Sequence, residues 1–506
     1  MKGPFYITTP IYYINDVPHI GHAYTTIAAD VMARYKRLCG YEVFFLTGTD
    51  EHGLKIERAA ASMNLHPKEL ADRMLERFLS LWELLGISNT GFIRTTEERH
   101  RRVVEYAFSR MYEKGDIYLG EYEGWYCPFC ESYVTERDLL DGRCPDCLRE
   151  PERVREESLF FRLSKYGPRL LDLLENRKDF ILPDFRYNEV VSFVRAGLRD
   201  ISVSRTGFTW GIPVPFKGSH LIYVWFDALF NYLTGVGFME DEQMFKRFWP
   251  CNWHVIGKDI LRFHAIFWPA FLMSLGLEPP QGIFAHGWWT VEGRKMSKSL
   301  GNVVDPFEVA KTYGVDEFRF FLMREVPFGL DGDFSKEAIF ARINGDLANN
   351  LGNLLSRVVT MIQRFQRGRL MPPGPRSGED ERLEEEVTNC VRGYEREMER
   401  LSYYRALQYV FDLVSALNKY IDEEAPWRLF REGHRRLPTV LYNLWNGLRI
   451  LTVLLFPFMP EKTKHMWRAL GLQSPLESAS FDEERSFHLI ETSPIAKIGP
   501  LFPRRD

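Results

Sequence analysis

The sequence is short of cysteine, begins without an export signal and contains no long apolar run. Only 7 of its 506 residues are cysteines, and the opening MKGPFYITTP has no apolar segment of the kind that directs secretion. Its longest apolar stretch, residues 448–459, is too short to span a bilayer and includes Arg449. We therefore expect a soluble, cytoplasmic protein with no membrane partner and no disulfide framework.

An excess of charge of one sign is also missing. The formal net charge is −4, which excludes a uniformly basic nucleic-acid-binding protein. One window, residues 347–378, nevertheless has five arginines and no Asp or Glu, a composition that suits either a surface for a polyanion or a solvated helix face. The five are Arg357, Arg364, Arg367, Arg369 and Arg376.

Strand and helix patterns alternate at the start of the chain. The strand pattern FYITTPI (5–11), a helical pattern between Gly21 and Gly40 and the strand pattern EVFFLTG (42–48) form one βαβ unit. Such a unit predicts a parallel sheet. The next segment, GTDEHG (48–53), is interpreted as a polar loop that opens the following helix.

The α/β pattern stops and later resumes. After about residue 113, short strands and a cysteine-rich segment are expected, and beyond about residue 340 helical periodicity predicts a helix bundle with MPPGP (371–375) as a loop. A sheet domain divided by an insert is the simplest interpretation. The segments that resume it are LIYVWF (221–226), WHVIG (253–257), a helix over about 260–275, and GIFAHGWW (282–289).

Four cysteines form a metal-binding pattern. CPFC (127–130) and CPDC (144–147) are two Cys-x-x-Cys pairs separated by 13 residues, and four thiolates satisfy tetrahedral Zn²⁺. Four protein ligands leave no open coordination position, so this zinc would be structural. The alternative to a zinc site is that the two Cys-x-x-Cys pairs are redox pairs. The predicted ligands are Cys127, Cys130, Cys144 and Cys147.

Two histidines lie where the first strand turns into the first helix. In PHIGHAY (18–24), His19 and His22 fall at the carboxyl end of a parallel strand, where ligands bind, and beside a helix N-terminus, which favours anions. Gly21 lets a ligand approach the backbone. By itself, this two-histidine motif is as compatible with an ordinary polar turn as with a ligand-binding site.

Far along the chain, a second motif carries two ammonium groups. EGRKMSKSLGN (292–302) has Lys295 and Lys298 among small hydroxyl residues, which suits transient neutralisation of a triphosphate. A surface Lys/Ser loop is the plain alternative for this segment. Because the two motifs occur in this order in a divided α/β domain, chance is a poor explanation for their joint occurrence.

These two motifs resemble the paired HIGH and KMSKS motifs of class I aminoacyl-tRNA synthetases. Further segments resemble the methionyl group of that family, and the likeness covers essentially the whole chain. They are PIYYIN (10–15), GTDEHG (48–53), the four-cysteine knuckle, YVWFDAL (223–229), GKDI (257–260), FHAIFWP (263–269) and APWRLF (425–430).

The resemblance implies a two-step ligase reaction. Methionine would attack the α-phosphate of ATP to give methionyl-adenylate and pyrophosphate, and the adenylate would then esterify the 3′-terminal adenosine of tRNA(Met). Cationic groups and Mg²⁺ would converge on the phosphates, with His19, His22, Lys295 and Lys298 as catalytic residues. The implied ATP-binding residues are His19, Gly21, His22, Gly257, Asp259, Lys295, Ser297 and Lys298.

The resemblance also implies a methionine pocket. Asp50 would bind the substrate ammonium, although a plain loop carboxylate is the alternative, and Asp259 would accept ribose hydroxyls unless it is only a helix N-cap. Position 229 is Leu where some relatives carry proline. Aromatic walls suit a thioether. The implied pocket is Ile11, Tyr13, Asp50, Tyr223, Trp225, Ala228, Leu229, Tyr232, Ile260 and His264.

The helical region would read the tRNA anticodon. Asn353 and Arg357 are spaced i, i+4 and share a helix face, and Trp427 would stack on a base, although a core tryptophan is the alternative. No dimerisation module follows LFPRRD, which favours a monomer. The rival interpretations are a cysteinyl-tRNA synthetase and a non-catalytic tRNA-binding paralogue.

The expected organisation is a Rossmann-type nucleotide-binding domain split by a zinc-bearing connective insert and followed by an all-α anticodon-binding domain. The boundaries are 1–112 and 221–290 for the two halves of the catalytic domain, 113–220 for the insert, 291–345 for the KMSKS loop and linking segment, and 346–506 for the α-helical domain.

The cysteine pattern generates a direct prediction. Metal analysis of the purified protein should find about one zinc per chain, because four thiolates form one closed tetrahedral site. A zinc-free protein with full activity would refute this assignment.

Overall fold

The structure is a computed structural model that describes residues 2–129, 131–134, 136, 139–145, 148–291, 293–296 and 302–504. It divides into two compact units. The sheet unit comprises Pro4–Ala29 and Val43–His286, and the bundle unit comprises Met1–Gly3, Asp30–Glu42 and Gly287–Asp506. Among the described residues, we find no helix with the length and apolarity needed to traverse a bilayer.

Strands and helices alternate through the first 286 residues. The strands are β1 (Pro4–Tyr13), β2 (Glu42–Asp50), β3 (Gly91–Arg94), β4 (Ile117–Cys127), β5 (Ser132–Val134), β6 (Glu152–Phe161), β7 (Ile181–Leu182), β8 (Ile201–Ser202), β9 (Ser204–Arg205), β10 (Pro213–Val214), β11 (Lys217–Ile222), β12 (Trp253–Gly257) and β13 (Ile283–His286). The helices are α1 (Ile20–Leu38), α2 (Leu54–Ser62), α3 (Pro67–Leu84), α4 (Glu98–Glu113), α5 (Leu163–Asn176), α6 (Asp184–Arg195), α7 (Val224–Leu229), α8 (Asn231–Thr234), α9 (Glu242–Phe248) and α10 (Trp268–Leu275).

The main sheet has six strands in the order β3-β2-β1-β12-β13-β7. The β2–β3, β1–β12, β12–β13 and β13–β7 pairs are parallel. The chain builds outward from β1 on one side and continues with β12 and β13 on the other. The strand order therefore reverses between β1 and β12, and the crevice at their carboxyl ends is where such a sheet binds ligands.

The predicted βαβ unit is confirmed. Helix α1 ends at Leu38, and Gly40 follows with φ +84°, a conformation that glycine adopts readily. Lys36 and Arg37 occupy the last turn, where positive charge suits the helix dipole. Strand β2 is buried from Val43 to its end, as a parallel strand covered on both faces should be.

Three sequence-based expectations need correction. The segment GTDEHG is not a loop throughout, because Gly48–Asp50 belong to β2. The run LIYVWF divides between the end of β11 and the start of α7. The insert contains not only short strands: β4 and β6 are 11 and 10 residues long and pair antiparallel, and β7 joins the main sheet beside β13.

The bundle unit is mostly helical, as expected. It contains β14 (Trp289–Val291), β15 (Arg294–Lys295) and β16 (Gly332–Phe334) in one small sheet, with β14 central. Its helices are α11 (Pro306–Tyr313), α12 (Val315–Arg324), α13 (Lys336–Ala341), α14 (Asn353–Gln366), α15 (Gly378–Glu399), α16 (Tyr403–Glu424), α17 (Pro426–Arg431), α18 (Leu437–Leu455), α19 (Pro460–Ala469) and α20 (Phe481–Glu484).

Helix α18 is buried on nearly every side and forms the centre of the bundle unit. The arginine in its apolar run, Arg449, is fully buried, and its guanidinium donates to the Asn446 side chain (3.2 Å) and to the Glu484 carbonyl (3.0 Å). A buried charge with this many acceptors is compatible with a helical core.

A second buried arginine links elements of the bundle unit. Arg319 on α12 is fully buried, and it donates to Asp30 Oδ2 (2.7 Å) and to the carbonyls of Pro457 (2.9 Å) and Phe458 (3.1 Å). Asp30 is also fully buried, and Arg34 donates to the same Oδ2 (2.8 Å).

Replacing Arg319 by Met should therefore lower the free energy of unfolding by about 3–5 kcal/mol, because Asp30 and two carbonyls lose a donor in the interior. Urea unfolding followed by circular dichroism measures this change. The matched control is Arg101→Met, which removes an exposed ion pair with Glu98 and should cost less than about 1 kcal/mol. If both substitutions lowered the free energy of unfolding equally, Arg319 would not have this stabilising role.

Candidate active site

His19 and His22 lie together at the crevice. His19 precedes α1, and the two imidazole rings stack with centroids 3.9 Å apart. His19 Nδ1 accepts from the Gly21 N–H (3.0 Å), and His22 Nδ1 accepts from the His19 N–H (3.0 Å). Each Nδ1 is therefore an acceptor, which places the proton of a neutral ring on Nε2.

The two imidazoles are neutral hydrogen-bond donors and not the cations expected from sequence. Burial lowers the pKa of His19, and burial together with His19 lowers the pKa of His22 well below its usual value. The N–H groups at the start of α1 are partly used within the protein, because the His22 N–H donates to the His19 carbonyl (3.0 Å). An anion would thus meet two Nε2–H groups at this point.

Gly257 and Asp259 lie across the switch point, at the end of β12. Gly257 ends the strand, and Asp259 follows in a short 3₁₀ turn, Lys258–Ile260, with an exposed side chain. Asp259 is not the N-cap of this turn, since Gly257 holds that position. A Cβ on residue 257 would lie 2.6 Å from Asp259 Oδ1, so glycine makes room for this carboxylate.

Asp50 ends β2 with a buried and unsatisfied carboxylate. Its side chain is 7% exposed, and its Oδ1 has no hydrogen-bond partner among the described residues. Burial raises the pKa of Asp50 well above its usual value, and the carboxylates of Asp227 and Glu131 raise it further. Asp50 is thus a buried strand residue and does not lie in an exposed loop. An ammonium group would satisfy both the orphaned oxygen and the local excess of negative charge.

Tyr232 and His264 form a fixed polar pair in the expected pocket. The His264 ring donates from Nδ1 to the Ile260 carbonyl (3.0 Å), which leaves Nε2 to accept from the Tyr232 hydroxyl (2.7 Å). Burial lowers the pKa of His264 to about 4, so this ring is neutral. His264 lies in a π-helical turn, Phe263–Phe267, a local widening that is frequent at functional sites.

The remaining pocket residues lie on the same unit. Trp225 stacks on Phe263 with ring centroids 3.8 Å apart. Tyr223, Ala228 and Leu229 are buried on or beside α7, whereas Ile11, Tyr13 and Ile260 are half-buried. Positions 224–229 are helical with Leu229 in place of proline.

Two groups at this site were missed from sequence. Glu131, within the cysteine-rich segment, accepts from the hydroxyl of Tyr13 (2.8 Å). Asp227 accepts from His52 (2.7 Å) and from His100 (2.8 Å) in a buried cluster, and although burial raises the pKa of Asp227, the two histidines lower it overall. None of these three contacts has a spacing signal, because the partners are 118 to 175 residues apart.

The cysteine segment is described only in part. Cys130 and Cys147 lie outside the described residues. Cys127 and Cys144 are fully buried and pack in one small cluster with Val134. Cys127 faces position 132 in the β4–β5 pair, and the Cys144 carbonyl accepts from the Leu148 N–H (2.9 Å). Within the described residues, no group of three or more His, Cys, Asp or Glu side chains is placed to hold a metal.

The lysine-rich motif is also described only in part. Ser297 and Lys298 lie outside the described residues, as does the side chain of Lys295. The backbone of Lys295 belongs to β15, which pairs antiparallel with β14. Gly293 directly precedes β15 with φ +70°, and its N–H donates to Asp333 Oδ1 (2.8 Å).

The bundle unit has a polar cleft of about 500 Å³ that contains two of the predicted anticodon residues. Arg357 is held by Asn418 (3.2 Å) and Asp422 (2.9 Å). Trp427 is not a core residue, since it is 43% exposed on α17. It does not line the cleft. The lining residues are Asn349, Asn350, Asn353, Ser356, Arg357, Ser415 and Asn418.

Comparison with known proteins identifies both parts of the chain. A family model described as "tRNA synthetases class I (M)" matches residues 5–154 and 149–359, and one described as "Anticodon binding domain of methionyl tRNA ligase" matches residues 371–492. The chain is similar to the methionine–tRNA ligase of Caldanaerobacter subterraneus subsp. tengcongensis, with 53% identity over 510 residues that cover 100% of this chain and 80% of the relative. The Clostridium tetani ligase is 47% identical over 100% of this chain and 79% of its own length.

Solved structures give the same result. Mycobacterium tuberculosis methionyl-tRNA synthetase in complex with methionyl-adenylate has a TM-score of 0.95 and 43% identity to this chain, covering 99% of this chain and 100% of that one. The apo form of the same protein has a TM-score of 0.88 and 40% identity, with 100% and 98% coverage.

The fold and these matches define a class I aminoacyl-tRNA synthetase. Within that class, the chain belongs to the methionyl-tRNA synthetase family. The resemblance found from sequence is confirmed, and the cysteinyl alternative is excluded. An ATP-dependent ligase activity that joins methionine to tRNA follows from this membership.

Asp50 generates a stability prediction. Its folded-state pKa lies above the ordinary value of 3.8, so the ionised carboxylate destabilises the folded chain at neutral pH. Asp50→Asn should raise the free energy of unfolding by about 1–3 kcal/mol at neutral and alkaline pH. This gain should vanish as the pH falls toward the ordinary value, since Asp50 is then protonated in both states. Thermal unfolding of wild type and variant across this pH range measures it, with exposed Asp179→Asn as the control.

Proposed function

We propose that the crevice at the carboxyl edge of the main sheet binds methionine and ATP and forms methionyl-adenylate. The observation that carries this proposal is the unsatisfied Asp50 Oδ1 at the carboxyl end of β2, the strand next to β1, where the strand order reverses on the far side of β1. Asp50 binds the ammonium of methionine. The methionyl group is then transferred to the 3′-terminal adenosine of tRNA(Met), for initiation and elongation.

The first step places the methionine carboxylate in line with the α-phosphate of ATP, and pyrophosphate leaves. His19 and His22 donate their Nε2–H groups to phosphate oxygens, which is efficient because both rings are already oriented by backbone hydrogen bonds. Mg²⁺ accompanies ATP. The other nucleotide-binding residues in this proposal are Gly21, Gly257, Asp259, Lys295, Ser297 and Lys298.

The side chain of methionine occupies the pocket beside Asp50. Tyr232 and His264 are both buried and bonded to each other, so their positions are fixed before the substrate arrives. Rings suit a polarizable sulfur atom. The pocket residues in this proposal are Ile11, Tyr13, Tyr223, Trp225, Ala228, Leu229, Tyr232, Ile260 and His264.

Cys127, Cys130, Cys144 and Cys147 hold one structural zinc ion in this proposal. The burial of Cys127 and Cys144 in one cluster supports it, with Cys127 at the end of β4. The domain boundaries given above, a monomeric state and a cytoplasmic location belong to the same proposal.

Asn353, Arg357 and Trp427 read the anticodon in this proposal. The polar cleft around Asn353 and Arg357 supports it, because its amide, hydroxyl and guanidinium groups match the edges of unstacked bases. The exposure of Trp427 leaves its ring available for stacking.

The overall proposal is tested by ATP–pyrophosphate exchange with each of the twenty amino acids. Exchange that depends on methionine supports an active synthetase. The absence of exchange with every amino acid would instead indicate the non-catalytic paralogue.

The histidine roles generate a prediction. His22→Ala should reduce the exchange rate by about 10²–10³-fold, since it removes one preorganised donor, whereas His22→Gln, which retains an N–H at a similar position, should lose less. The control is exposed His465→Ala.

The neutral state of the two rings predicts a pH profile. The rate of ATP–pyrophosphate exchange by the wild-type protein should stay constant from about pH 7 to about pH 8.5, because the neutral ring is the active form. A fall that follows deprotonation of an ordinary histidine would contradict the assignment.

Trp427 generates a separate prediction. Trp427→Ala should lower kcat/KM for tRNA charging by about 5- to 150-fold, which corresponds to the loss of one base–aromatic stack. Methionine-dependent exchange should be nearly unchanged, and Trp427→Phe should restore part of the charging activity. Equal losses in charging and exchange would indicate a packing role for this residue.

A further inference from the structure

Glu131 is unusual among the residues of the insert. It follows Cys130 directly in the sequence, yet its side chain is only 4% exposed. Its φ of 49° is left-handed, a conformation that costs free energy for a residue other than glycine. Tertiary contacts must therefore hold it in place.

Those contacts lead to the start of α2. One carboxylate oxygen of Glu131 accepts from the Lys55 N–H (2.9 Å). The helix has no side-chain cap of its own at Gly53, so Glu131 supplies both an acceptor and a negative charge at its N-terminus. A Cβ on residue 53 would lie 2.8 Å from Glu131 Oε1 and 2.5 Å from the Tyr13 hydroxyl oxygen, so only glycine leaves room for this arrangement.

The same residue binds two tyrosines. The Tyr13 hydroxyl donates to Glu131 Oε2 (2.8 Å), and the Tyr223 hydroxyl donates to the Glu131 backbone carbonyl (2.5 Å). Tyr13 comes from β1 and Tyr223 precedes α7, so these two bonds connect the insert with both sides of the proposed methionine pocket. Both tyrosines are also remote from Glu131 in the sequence.

We propose that Glu131 is a positioning residue through which the cysteine-bearing insert sets the shape of the methionine pocket. It touches no reacting atom and acts by fixing Tyr13, Tyr223 and the start of α2. This inference rests on the proposed methionine site. Because coupling between two sites is reciprocal, methionine binding also stabilises the loop that carries Glu131.

The first test compares methionine affinities of full-length variants by isothermal titration calorimetry. Glu131→Ala should raise the Kd for methionine by about tenfold or more, because the Tyr13 hydroxyl and the Lys55 N–H lose their acceptor. Glu131→Gln should stay within about threefold of wild type, since an amide can accept from Lys55 and donate to the Tyr13 oxygen. The matched control is Glu121→Ala on β4 of the same insert, an exposed residue paired with Arg155, which should bind methionine normally.

Kinetics separate positioning from a general loss of structure. In the exchange assay, Glu131→Ala should raise KM for methionine and leave KM for ATP unchanged. Glu131→Gln should have a KM for methionine close to that of the wild type. A parallel rise of both KM values, or a Gln variant as impaired as the Ala variant, would overturn the inference.

A second measurement does not depend on any variant that folds poorly. Saturating methionine should slow amide hydrogen exchange of wild-type residues 131–134 and of the start of α2. Exchange unchanged by methionine at both segments would overturn the inference.

A failure of the proposed methionine site would give a different result from a failure of this inference. If Asp50→Asn loses methionine binding while Glu131→Ala keeps it, the inference is wrong and the methionine site stands. If Asp50→Asn binds methionine like wild type, the site itself is wrong, and the role of Glu131 falls with it.

Discussion

The sheet unit has a buried carboxyl group whose ionised form the fold disfavours. Asp50 ends a buried strand with an oxygen that no described residue satisfies, and burial raises its pKa, with two further carboxylates raising it more. In a chain without a ligand, such a group only destabilises the fold. A carboxyl group at this edge of the sheet makes sense if a positively charged ligand completes its hydrogen bonding. Without that ligand, the protein is less stable than it would be with a neutral residue at position 50.

The groups around this charge are oriented before any substrate binds. Backbone N–H groups fix both imidazoles of the HIGH motif, and a carbonyl fixes the ring of His264. Burial keeps all three rings neutral. Preorganised neutral donors need no reorganisation when charge develops on a phosphate, which is a general source of rate enhancement in enzymes.

Most of the architecture could be predicted from sequence because it depends on local patterns. The first βαβ unit and the helical bundle follow from periodicity, the paired motifs from their residue types and order, and the family from the quoted segments. The two-residue strand β7 is too short to have a period, and the Tyr13–Glu131 contact joins residues 118 positions apart. The neutral state of His19 and His22 depends on burial by residues such as Phe78, which packs against His22 and has no signal near the motif.

The short strand β7 has a consequence for how this protein can be divided. Its two residues lie in the segment expected from sequence to be an insert, yet they pair with β13 and form the outer edge of the parallel sheet. Excising residues 113–220 as a module would strip that edge and expose unpaired backbone to other chains. Residues 181 and 182 thus form the outer edge of the main sheet, and a fragment that keeps this sheet intact would retain them.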